Sequence, residues 1–382
     1  MRPIVEPLLR ELVRIPSVNP RGGSAAAEEE LASFVADWMR RAGCDVVVDE
    51  VLPGRPNVLA RIEGTDRSRV LLLEGHMDTV EVDGMTVAPF GGEVRSGRLY
   101  GRGSTDAKGS LAAFMAAMAD LRTSGSTPPV TIMLAAVVDE EHHYRGVTHL
   151  LATNHETISG AIVGEPTELR MVVAHKGCLR FQVRAIGRSA HSSEPWTGDN
   201  AIEAMADAVI QIRDVLGPQA QRLQDPLVGP ATLTVTLISG GSGVNLVPET
   251  CTIHIDRRIL PGEEPELVWA EIKSALEAGR SGRLEVMAPD LVDAALDGDA
   301  ASGIARAMAA SLLATGLAAE AVGAPYGTDA SKLARAGIPS VVFGPGSIRD
   351  AHRPDESIDL QEVERAASAV ADVLRRFGAE PQ

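Results

Sequence analysis

The sequence predicts an α/β fold with a mainly parallel sheet, interrupted by a smaller inserted domain of the α+β class. Up to residue 165, apolar strand-like runs alternate with helical segments, as is typical of an α/β layer built on parallel strands. Between residues 178 and 287 the order becomes β-α-β-β-α-β, the ferredoxin-like arrangement, and the α/β alternation then resumes. A chain of 382 residues is also too long for one ordinary core, so we expect two domains.

The α/β part is predicted to begin with a helix over residues 4–16 that ends near Pro16. Ser24 is expected to cap a second helix, Ala25–Arg41, which Gly43 ends. The next predicted elements are the strands Asp45–Val51, Asn57–Ile62 and Val70–Glu74, the helix Lys108–Leu121, and the apolar strands Val130–Val138 and Gly160–Val163.

The inserted domain and the last part of the chain are predicted in the same way. Their elements are the strand Cys178–Ile186, the helix Asn200–Leu216, the strands Ala231–Ile238 and Thr250–Ile259, the helix Glu264–Ala278, the strand Arg283–Met287, the helices Gly303–Leu313 and Ser331–Ala336, the strand Pro339–Phe343 and the helix Gln361–Phe377. We therefore predict an α/β domain in two parts, residues 1–177 and 291–382, around an inserted domain, residues 178–290, whose size suffices to fold as a unit.

The charge and the cysteines narrow the class of protein. The formal net charge is −16, from 36 basic and 52 acidic residues, which argues against non-specific binding to nucleic acid. No apolar run approaches the roughly 20 residues of a membrane span, and the N-terminus lacks the apolar core of a signal peptide. Cys44, Cys178 and Cys251 have no CxxC spacing and are expected to be buried in a reducing compartment. We predict a cytoplasmic protein with no nucleic-acid or membrane partner.

The most informative stretch is the apolar run Val70–Leu73, followed closely by His76 and Asp78. If the strand conformation persists, side chains at positions i and i+2 point to one face. An imidazole and a carboxylate so placed suit a metal-ligand histidine whose second ring nitrogen is held by an acidic group. The alternative is a polar strand end without a ligand, and this pair alone does not decide between the two.

Further acidic or histidine-bearing segments follow strands or open loops, and they contain Asp106, Glu140, Glu141, Glu165 and His352. In open α/β sheets the carboxyl ends of the strands meet at one edge, where ligands bind. Two histidines and four carboxylates converging there would repel strongly or take up protons unless a cation neutralised them. Such mixed ligands suit Zn²⁺, with Co²⁺ or Mn²⁺ as replacements, and more than three carboxylates suggest two ions about 3.5–4 Å apart. Surface charges or helix caps are the alternative for each residue taken singly.

Five motifs resemble those of the co-catalytic di-zinc metallopeptidase/deacylase family. They are Gly75-His76-Met77-Asp78-Thr79-Val80, Gly101-Arg102-Gly103-Ser104-Thr105-Asp106-Ala107-Lys108-Gly109, Asp139-Glu140-Glu141, Gly164-Glu165-Pro166-Thr167 and Ala351-His352-Arg353-Pro354-Asp355-Glu356. The family includes acetylornithine deacetylase, succinyl-diaminopimelate desuccinylase, aminoacylase and glutamate carboxypeptidase. The resemblance covers essentially the whole chain, and it implies a zinc-peptidase-like catalytic domain with an inserted dimerisation or lid domain.

The resemblance also implies a role for each residue of the metal site. Asp106 would bridge two zinc ions and form a cis peptide bond with Ala107. The other ligands would be His76 and Glu165 on one ion, and Glu141 and His352 on the other. Asp78 would orient His76. Glu140 would be the general base that takes a proton from a zinc-bridged water and passes it to the leaving amine.

The inserted domain would supply substrate contacts. His191, in a segment whose histidine reaches the active site of the partner subunit, would stabilise the tetrahedral oxyanion, so a homodimer is expected. Asn245 and Arg258 lie in segments that resemble those binding the substrate carboxylate, which a planar guanidinium can hold with two hydrogen bonds. Gly327 and Thr328 would contact the substrate from the catalytic domain. A polar turn residue and a surface salt bridge are the alternatives for His191 and Arg258.

The segment containing Lys176, Ala174-His175-Lys176-Gly177-Cys178, looks more like the acetylornithine deacetylase branch than the desuccinylase branch, and Lys176 is counted among the predicted substrate-binding residues. The predicted reaction is hydrolysis of the amide of an N-acyl amino acid, with N-acetylornithine and arginine biosynthesis as the specific assignment. Removal of a succinyl group from diaminopimelate, and di-zinc dipeptidase or carboxypeptidase activity, are the alternative reactions. A metal-bound, non-catalytic binding protein is the alternative outside the enzymes.

Overall fold

The computed structural model describes residues 2–20, 28–278 and 283–379. The chain divides into two compact units. The larger unit comprises Met1–Val173, Gly298–Val322 and Thr328–Gln382, and the smaller unit comprises Ala174–Asp297 and Gly323–Gly327. The domain boundaries proposed from the sequence, after residues 177 and 290, stay a prediction.

The first part of the chain alternates between helices and strands. Its helices are α1 (Arg2–Arg14), α2 (Glu29–Arg41), α3 (Lys108–Thr123) and α4 (Arg145–Thr153). Its strands are β1 (Asp45–Leu52), β2 (Arg55–Ile62), β3 (Asp66–His76), β4 (Glu93–Arg95), β5 (Arg98–Tyr100), β6 (Val130–Val137), β7 (Thr157–Val163) and β8 (Met171–His175).

The smaller unit follows. Its strands are β9 (Gly177–Ile186), β10 (Ala190–His191), β11 (Gln224–Asp225), β12 (Gly229–Pro230), β13 (Thr232–Gly240), β14 (Leu246–Val247), β15 (Thr250–Ile259), β16 (Leu284–Val286), β17 (Leu291–Asp293) and β18 (Leu296–Asp297). Its helices are α5 (Ala201–Gln211), α6 (Gly217–Arg222) and α7 (Pro265–Ala278), with a 3₁₀ turn at Pro195–Thr197. The last elements of the chain are α8 (Gly303–Ala314), β19 (Ala321–Ala324), α9 (Ala330–Arg335), β20 (Ser340–Val342), β21 (Ser357–Asp359) and α10 (Leu360–Arg376).

The main sheet has a parallel centre and antiparallel margins. Its strands run in the order β1-β2-β6-β3-β7-β20-β8. The neighbours β6-β3, β3-β7 and β7-β20 are parallel, whereas β1-β2, β2-β6 and β20-β8 are antiparallel. The predicted α/β fold with a mainly parallel central sheet is therefore confirmed. This centre matters for function because parallel neighbours end at the same edge of the sheet.

The core of the larger unit is formed by the central strands and by α3. Val70–Leu73 of β3 and nearly all of α3 are buried. Helix α3 contacts β3, α1 and α10, and its many alanines let these neighbours approach closely. The run of apolar residues in β3, without polar alternation, reflects a strand covered on both faces.

The smaller unit has the predicted ferredoxin-like order. Its sheet runs β13-β15-β9-β16 with antiparallel neighbours, and α5 and α7 pack on its buried face. Along β15, buried residues alternate with partly exposed ones, as a strand covered on one face requires. Strand β13 lies at the end of this order, and Leu237 and Ile238 on it are each 62% exposed.

Several predicted boundaries differ from those observed. Helix α2 begins at Glu29 rather than at Ala25, and the proposed cap Ser24 lies outside the described residues. The helix predicted for 200–216 is capped by Asn200, but its α-helical hydrogen bonding ends at Gln211 and a π-helical turn, Ile212–Leu216, leads into α6. Helix α4 was not predicted from the sequence, because the residue before it, Tyr144, offers no capping side-chain hydrogen bond.

Among the helices of the described residues, none combines the length and the apolarity that crossing a membrane requires.

Candidate metal centre

The three central strands bring the predicted ligands to one edge of the sheet. His76 is the last residue of β3, Glu140 and Glu141 follow β6, and Glu165 follows β7. His76 is in register with Val137 of β6, and Glu74 is in register with Val163 of β7. Parallel pairing in this register places the ends of the three strands side by side, so the sequence-distant side chains converge.

Asp106, in the loop before α3, lies between the two predicted histidine ligands. Nε2 of His76 lies 3.2 Å from Oδ1 of Asp106, and Nε2 of His352 lies 3.2 Å from Oδ2. The Asp106–Ala107 peptide bond is cis, as the sequence resemblance implied. One carboxylate therefore presents one oxygen to each imidazole.

The possible metal ligands form two groups, and the Asp106 carboxylate belongs to the second. In the first, ligand atoms of His76, Glu140 and Glu165 all lie within 4.8 Å of one another. In the second, the same holds for Asp106, Glu141 and His352. Nε2 of His76 is 3.8 Å from Oε1 of Glu165, and Nε2 of His352 is 3.2 Å from Oε1 of Glu141.

Burial and the neighbouring charges shift the pKa values of side chains in both groups. Burial raises the pKa of Glu165 well above its ordinary value, and the charge of Asp106 raises it further. The pKa of Glu140 is raised well above its ordinary value, first by burial and then by Asp329 and Glu141, although His76 opposes the shift. The hydrogen bonds to Asp106 and Glu141 raise the pKa of His352 to about 10. Crowded carboxylates of this kind take up protons unless a bound cation neutralises their charge.

The donor set fits two divalent cations. Glu140 lies in the first group, although the resemblance implied a base rather than a ligand at this position. The remaining donors are two imidazoles and three carboxylates, a mixture that suits Zn²⁺ and its common replacements. Asp106 has one oxygen toward each histidine, which is the arrangement required of a bridging ligand. The mutual repulsion of the buried carboxylates would be relieved by the ions.

Asp78 acts differently from the sequence expectation. The carboxylate was predicted to orient His76, but Nδ1 of His76 lies 2.9 Å from the main-chain oxygen of Asp78 and 3.7 Å from its carboxylate. The carboxylate instead accepts the backbone N–H groups of Glu140 and Glu141, each at 3.1 Å. Asp78 therefore holds the histidine through its carbonyl and the glutamate pair through its side chain.

Glu356 supports Asp106 from the other side, a role that the sequence analysis did not assign. Its Oε1 accepts the backbone N–H groups of Thr105 at 2.9 Å and Asp106 at 3.3 Å. Its Oε2 accepts a hydrogen bond of 2.6 Å from Arg102. The signal was present, because Glu356 ends the motif that contains His352, but nothing in the motif indicated which loop it would hold.

A second acidic pair lies near Glu140. Glu74 is buried, and its pKa is raised well above the ordinary value by burial and then by the charge of Asp329. Lys332 opposes the rise in the pKa of Glu140, and its ammonium lies 3.3 Å from the centre of the Tyr144 ring. The sequence analysis did not assign these residues, since acidic and basic residues of this kind are common outside active sites.

Of the predicted substrate-binding residues, Thr328 belongs to the larger unit, where it is buried and its Oγ1 accepts the N–H of Ala330. The others belong to the smaller unit: Lys176, His191, Asn245, Arg258 and Gly327. Gly327 was expected in the catalytic domain with Thr328, but the boundary between the two units falls between these residues.

The residues of the smaller unit have well-defined local surroundings. His191 is exposed on β10, with Nδ1 2.7 Å from the Ser193 hydroxyl, and the main-chain oxygen of Asn245 accepts the N–H of Ser192. Nε of Arg258 donates to Asp256 at 2.9 Å, which fixes the guanidinium on the sheet. Nζ of Lys176 donates to the carbonyl of Pro230 at 2.6 Å. A Cβ at Gly327 would lie 2.4 Å from Oδ2 of Asp293, so a larger residue there would have to displace this side chain.

The fold and the paired ligand groups define a metal-dependent hydrolase of amide bonds. The sequence model of peptidase family M20/M25/M40 matches residues 72–376 of the chain. The chain therefore belongs to this family. The resemblance stated from the sequence motifs is confirmed.

Two curated relatives are similar over nearly their whole length. The chain is 32% identical over 381 residues to an acetylornithine deacetylase of Proteus mirabilis, covering 97% of this chain and 96% of the relative. It is 31% identical over 385 residues to an acetylornithine deacetylase of Photorhabdus laumondii, covering 98% and 97%.

Solved structures share the fold. A tripeptidase from Staphylococcus aureus superposes with a TM-score of 0.80 at 22% identity, covering 100% of this chain and 99% of that one. A dinuclear metal-binding peptidase of the M20 family from Bacillus subtilis superposes with a TM-score of 0.72 at 16% identity, covering 97% and 96%.

Proposed function

We propose that the protein hydrolyses the amide bond of N-acyl amino acids with two bound Zn²⁺ ions, for which Co²⁺ or Mn²⁺ can substitute. The observation that carries the proposal is the position of Asp106, whose two oxygens each lie 3.2 Å from Nε2 of a different histidine. His76 and Glu165 would hold one ion, Glu141 and His352 the other, and Asp106 both. When bound, the ions supply Lewis acidity that polarises the substrate carbonyl and lowers the pKa of the attacking water.

Glu140 is the proposed general base. It takes a proton from the attacking water as the oxygen–carbon bond forms, and it delivers the proton to the leaving nitrogen as the carbon–nitrogen bond breaks. The hydrogen bond from its backbone N–H to Asp78 supports a fixed position for the side chain.

The smaller unit is proposed to recognise the rest of the substrate. Arg258, held by Asp256, would bind the carboxylate of the amino acid together with Asn245. Lys176, Gly327 and Thr328 are proposed further substrate contacts.

A homodimer is part of the proposal. His191 of a second copy would stabilise the oxyanion, which its exposure on β10 permits. The edge strand β13, with Leu237 and Ile238 exposed, is a suitable surface for pairing with the same strand of the partner. A cytoplasmic location also stays a prediction.

N-acetylornithine is the proposed substrate, and arginine biosynthesis the proposed pathway. Support comes from the names of the two curated relatives, which are similar to this chain over nearly its whole length. Succinyl-diaminopimelate and small peptides are the rival substrates, and a non-catalytic binding protein is the rival class. Glu140 favours the enzyme, because its carboxylate lies within 4.8 Å of the ligand atoms of His76 and Glu165, where a base for the attacking water is needed.

The test is a hydrolysis assay on zinc-reconstituted protein with N-acetylornithine, N-succinyl-diaminopimelate, N-acetylmethionine, a dipeptide and a tripeptide, each with and without a chelator. Chelator-sensitive turnover with the highest kcat/KM on N-acetylornithine is expected. A clear preference for another amide would discard the substrate and keep the mechanism. Two bound ions without turnover of any of these substrates would favour the non-catalytic class.

A further inference from the structure

A network of buried polar side chains lies behind the turn that carries Glu140 and Glu141. Arg55 of β2 donates from Nε and Nη2 to the two carboxylate oxygens of Glu28, at 2.6 and 2.5 Å. The same Nη2 donates to Oδ1 of Asp139 at 3.1 Å. Arg55, Glu28 and Asp139 are each no more than 2% exposed. The guanidinium of Arg55 therefore joins Glu28, which precedes α2, to Asp139, which precedes Glu140.

Asp139 has a backbone conformation that its side-chain contacts help to maintain. Its φ is +67°, in the left-handed region that residues other than glycine rarely adopt. This residue redirects the chain from the end of β6 into the turn. Its carboxylate accepts hydrogen bonds from Asn19 at 3.0 Å and from Arg55, and Nε of Arg145 lies 3.3 Å away. The position of the next two residues depends on this conformation.

The same network reaches the turn by a second route. Nδ2 of Asn19 donates to Oδ2 of Asp78 at 2.7 Å as well as to Asp139. The Asp78 carboxylate in turn accepts the N–H groups of Glu140 and Glu141. Asn19 thus ties Asp139 to Asp78, whose carboxylate holds the two backbone N–H groups of the turn.

We propose that Arg55 is a positioning residue for the reaction: by holding Asp139 in the left-handed conformation, it fixes Glu140 as base and Glu141 as ligand. The inference rests on the proposed roles of these two glutamates. Arg55 forms buried ion pairs with both Glu28 and Asp139, whereas Arg145, which also pairs with Asp139, is partly exposed. A side chain that only stabilised the fold would affect thermal stability without a selective effect on the chemical step.

The experiment compares Arg55→Met, Arg55→Lys, Asp139→Asn and the double variant Arg55→Met/Asp139→Asn. Asparagine keeps the shape of aspartate and tolerates a positive φ, so Asp139→Asn removes the charge with little backbone cost. Arg61→Met is the matched control, because Arg61 lies on the same strand and pairs with Glu156 away from the turn. Lysine at position 55 keeps the positive charge but cannot make two hydrogen bonds to one carboxylate. Arg55→Lys therefore still tests the inference if Arg55→Met does not fold.

Each variant is assayed well below its unfolding temperature, and each is also loaded with Co²⁺ for its visible absorption spectrum. We expect Arg55→Met to lower kcat on the order of 10- to 100-fold with KM within about twofold, and Arg55→Lys to fall between it and the wild type. The double variant should be no slower than the slower single variant, because both act on one turn. The Co²⁺ spectrum should change in Arg55→Met and not in Arg61→Met.

Two results would overturn the inference. The first is a loss of kcat in the double variant equal to the product of the losses in the single variants. The second is an unchanged kcat and Co²⁺ spectrum in folded Arg55→Met and Arg55→Lys. The spectrum separates this outcome from failure of the proposed function. If the wild type hydrolyses none of the substrates, the Co²⁺ signal still reports whether Arg55 positions Glu141.

Discussion

Nε2 of His352 lies 3.2 Å from Oδ2 of Asp106, while the other oxygen of the same carboxylate faces His76. From this arrangement we expect His352 and Asp106 to differ in how many bound ions depend on them. His352→Ala removes a ligand from one group and should leave one ion per chain. Asp106→Ala removes a carboxylate that faces both histidines and should weaken the binding of both ions.

Equilibrium dialysis with Zn²⁺, followed by elemental analysis, checks this first prediction. The wild type should hold two ions per chain. Asp106→Ala retaining one ion at wild-type affinity would show that Asp106 serves one group only.

Removal of metal should destabilise the protein. The carboxylates of Asp106, Glu141 and Glu165 are crowded around two histidines, and bound ions relieve their repulsion. An ion present at a hundredfold excess over its dissociation constant stabilises the folded state by about 2.7 kcal/mol. Differential scanning calorimetry with and without a chelator should show a lower midpoint for the chelated protein, restored by Zn²⁺. Equal midpoints would argue against a cation in the native structure.

Glu140→Gln should lose activity while keeping both ions. The amide cannot accept the proton from the attacking water, and general-base catalysis is worth roughly 10²- to 10⁴-fold. The measurement is kcat on the preferred substrate, together with the zinc content of the same sample. Glu156→Gln, which changes a surface ion pair with Arg61, is the control. Near-normal turnover by Glu140→Gln would assign the base to another residue.

Arg258→Met should raise KM far more than it lowers kcat. A charged hydrogen bond to the substrate carboxylate contributes on the order of 1.5–3 kcal/mol, equivalent to a rise of about 10- to 100-fold. Steady-state kinetics on an acylated amino acid gives both constants. Arg184→Met removes an arginine that pairs with Glu285 on the same sheet and should change neither. Equal kinetics for the two variants would leave Arg258 as a surface ion pair.

The exposed edge of β13 should mediate dimerisation. Leu237→Lys combined with Ile238→Lys places like charges where two copies would meet, so the protein should sediment as a monomer. Loss of turnover in that monomer would be expected if His191 acts on the active site of the partner. Leu267→Lys, at a leucine that is 65% exposed on α7, is the control. A wild type that is monomeric and active in analytical ultracentrifugation would contradict both expectations.

The sequence by itself determined the fold class and the set of candidate ligands. Alternating strands and helices imply a parallel sheet, and residues that follow such strands must meet at one edge, whatever their separation in the chain. His76, Glu140, Glu141 and Glu165 could be selected for this reason before any coordinates were known. The predicted succession of strands and helices also indicated the ferredoxin-like arrangement of the smaller unit.

The tertiary structure alone decided how these groups are shared and supported. Asp106 faces both histidines because of the path of its loop, and the carboxylate of Asp78 turns to the glutamate amides rather than to His76. Arg55 and Asp139 are 84 residues apart and meet across neighbouring strands. Such contacts depend on side-chain direction and burial in the folded chain, which local patterns of residue type do not specify.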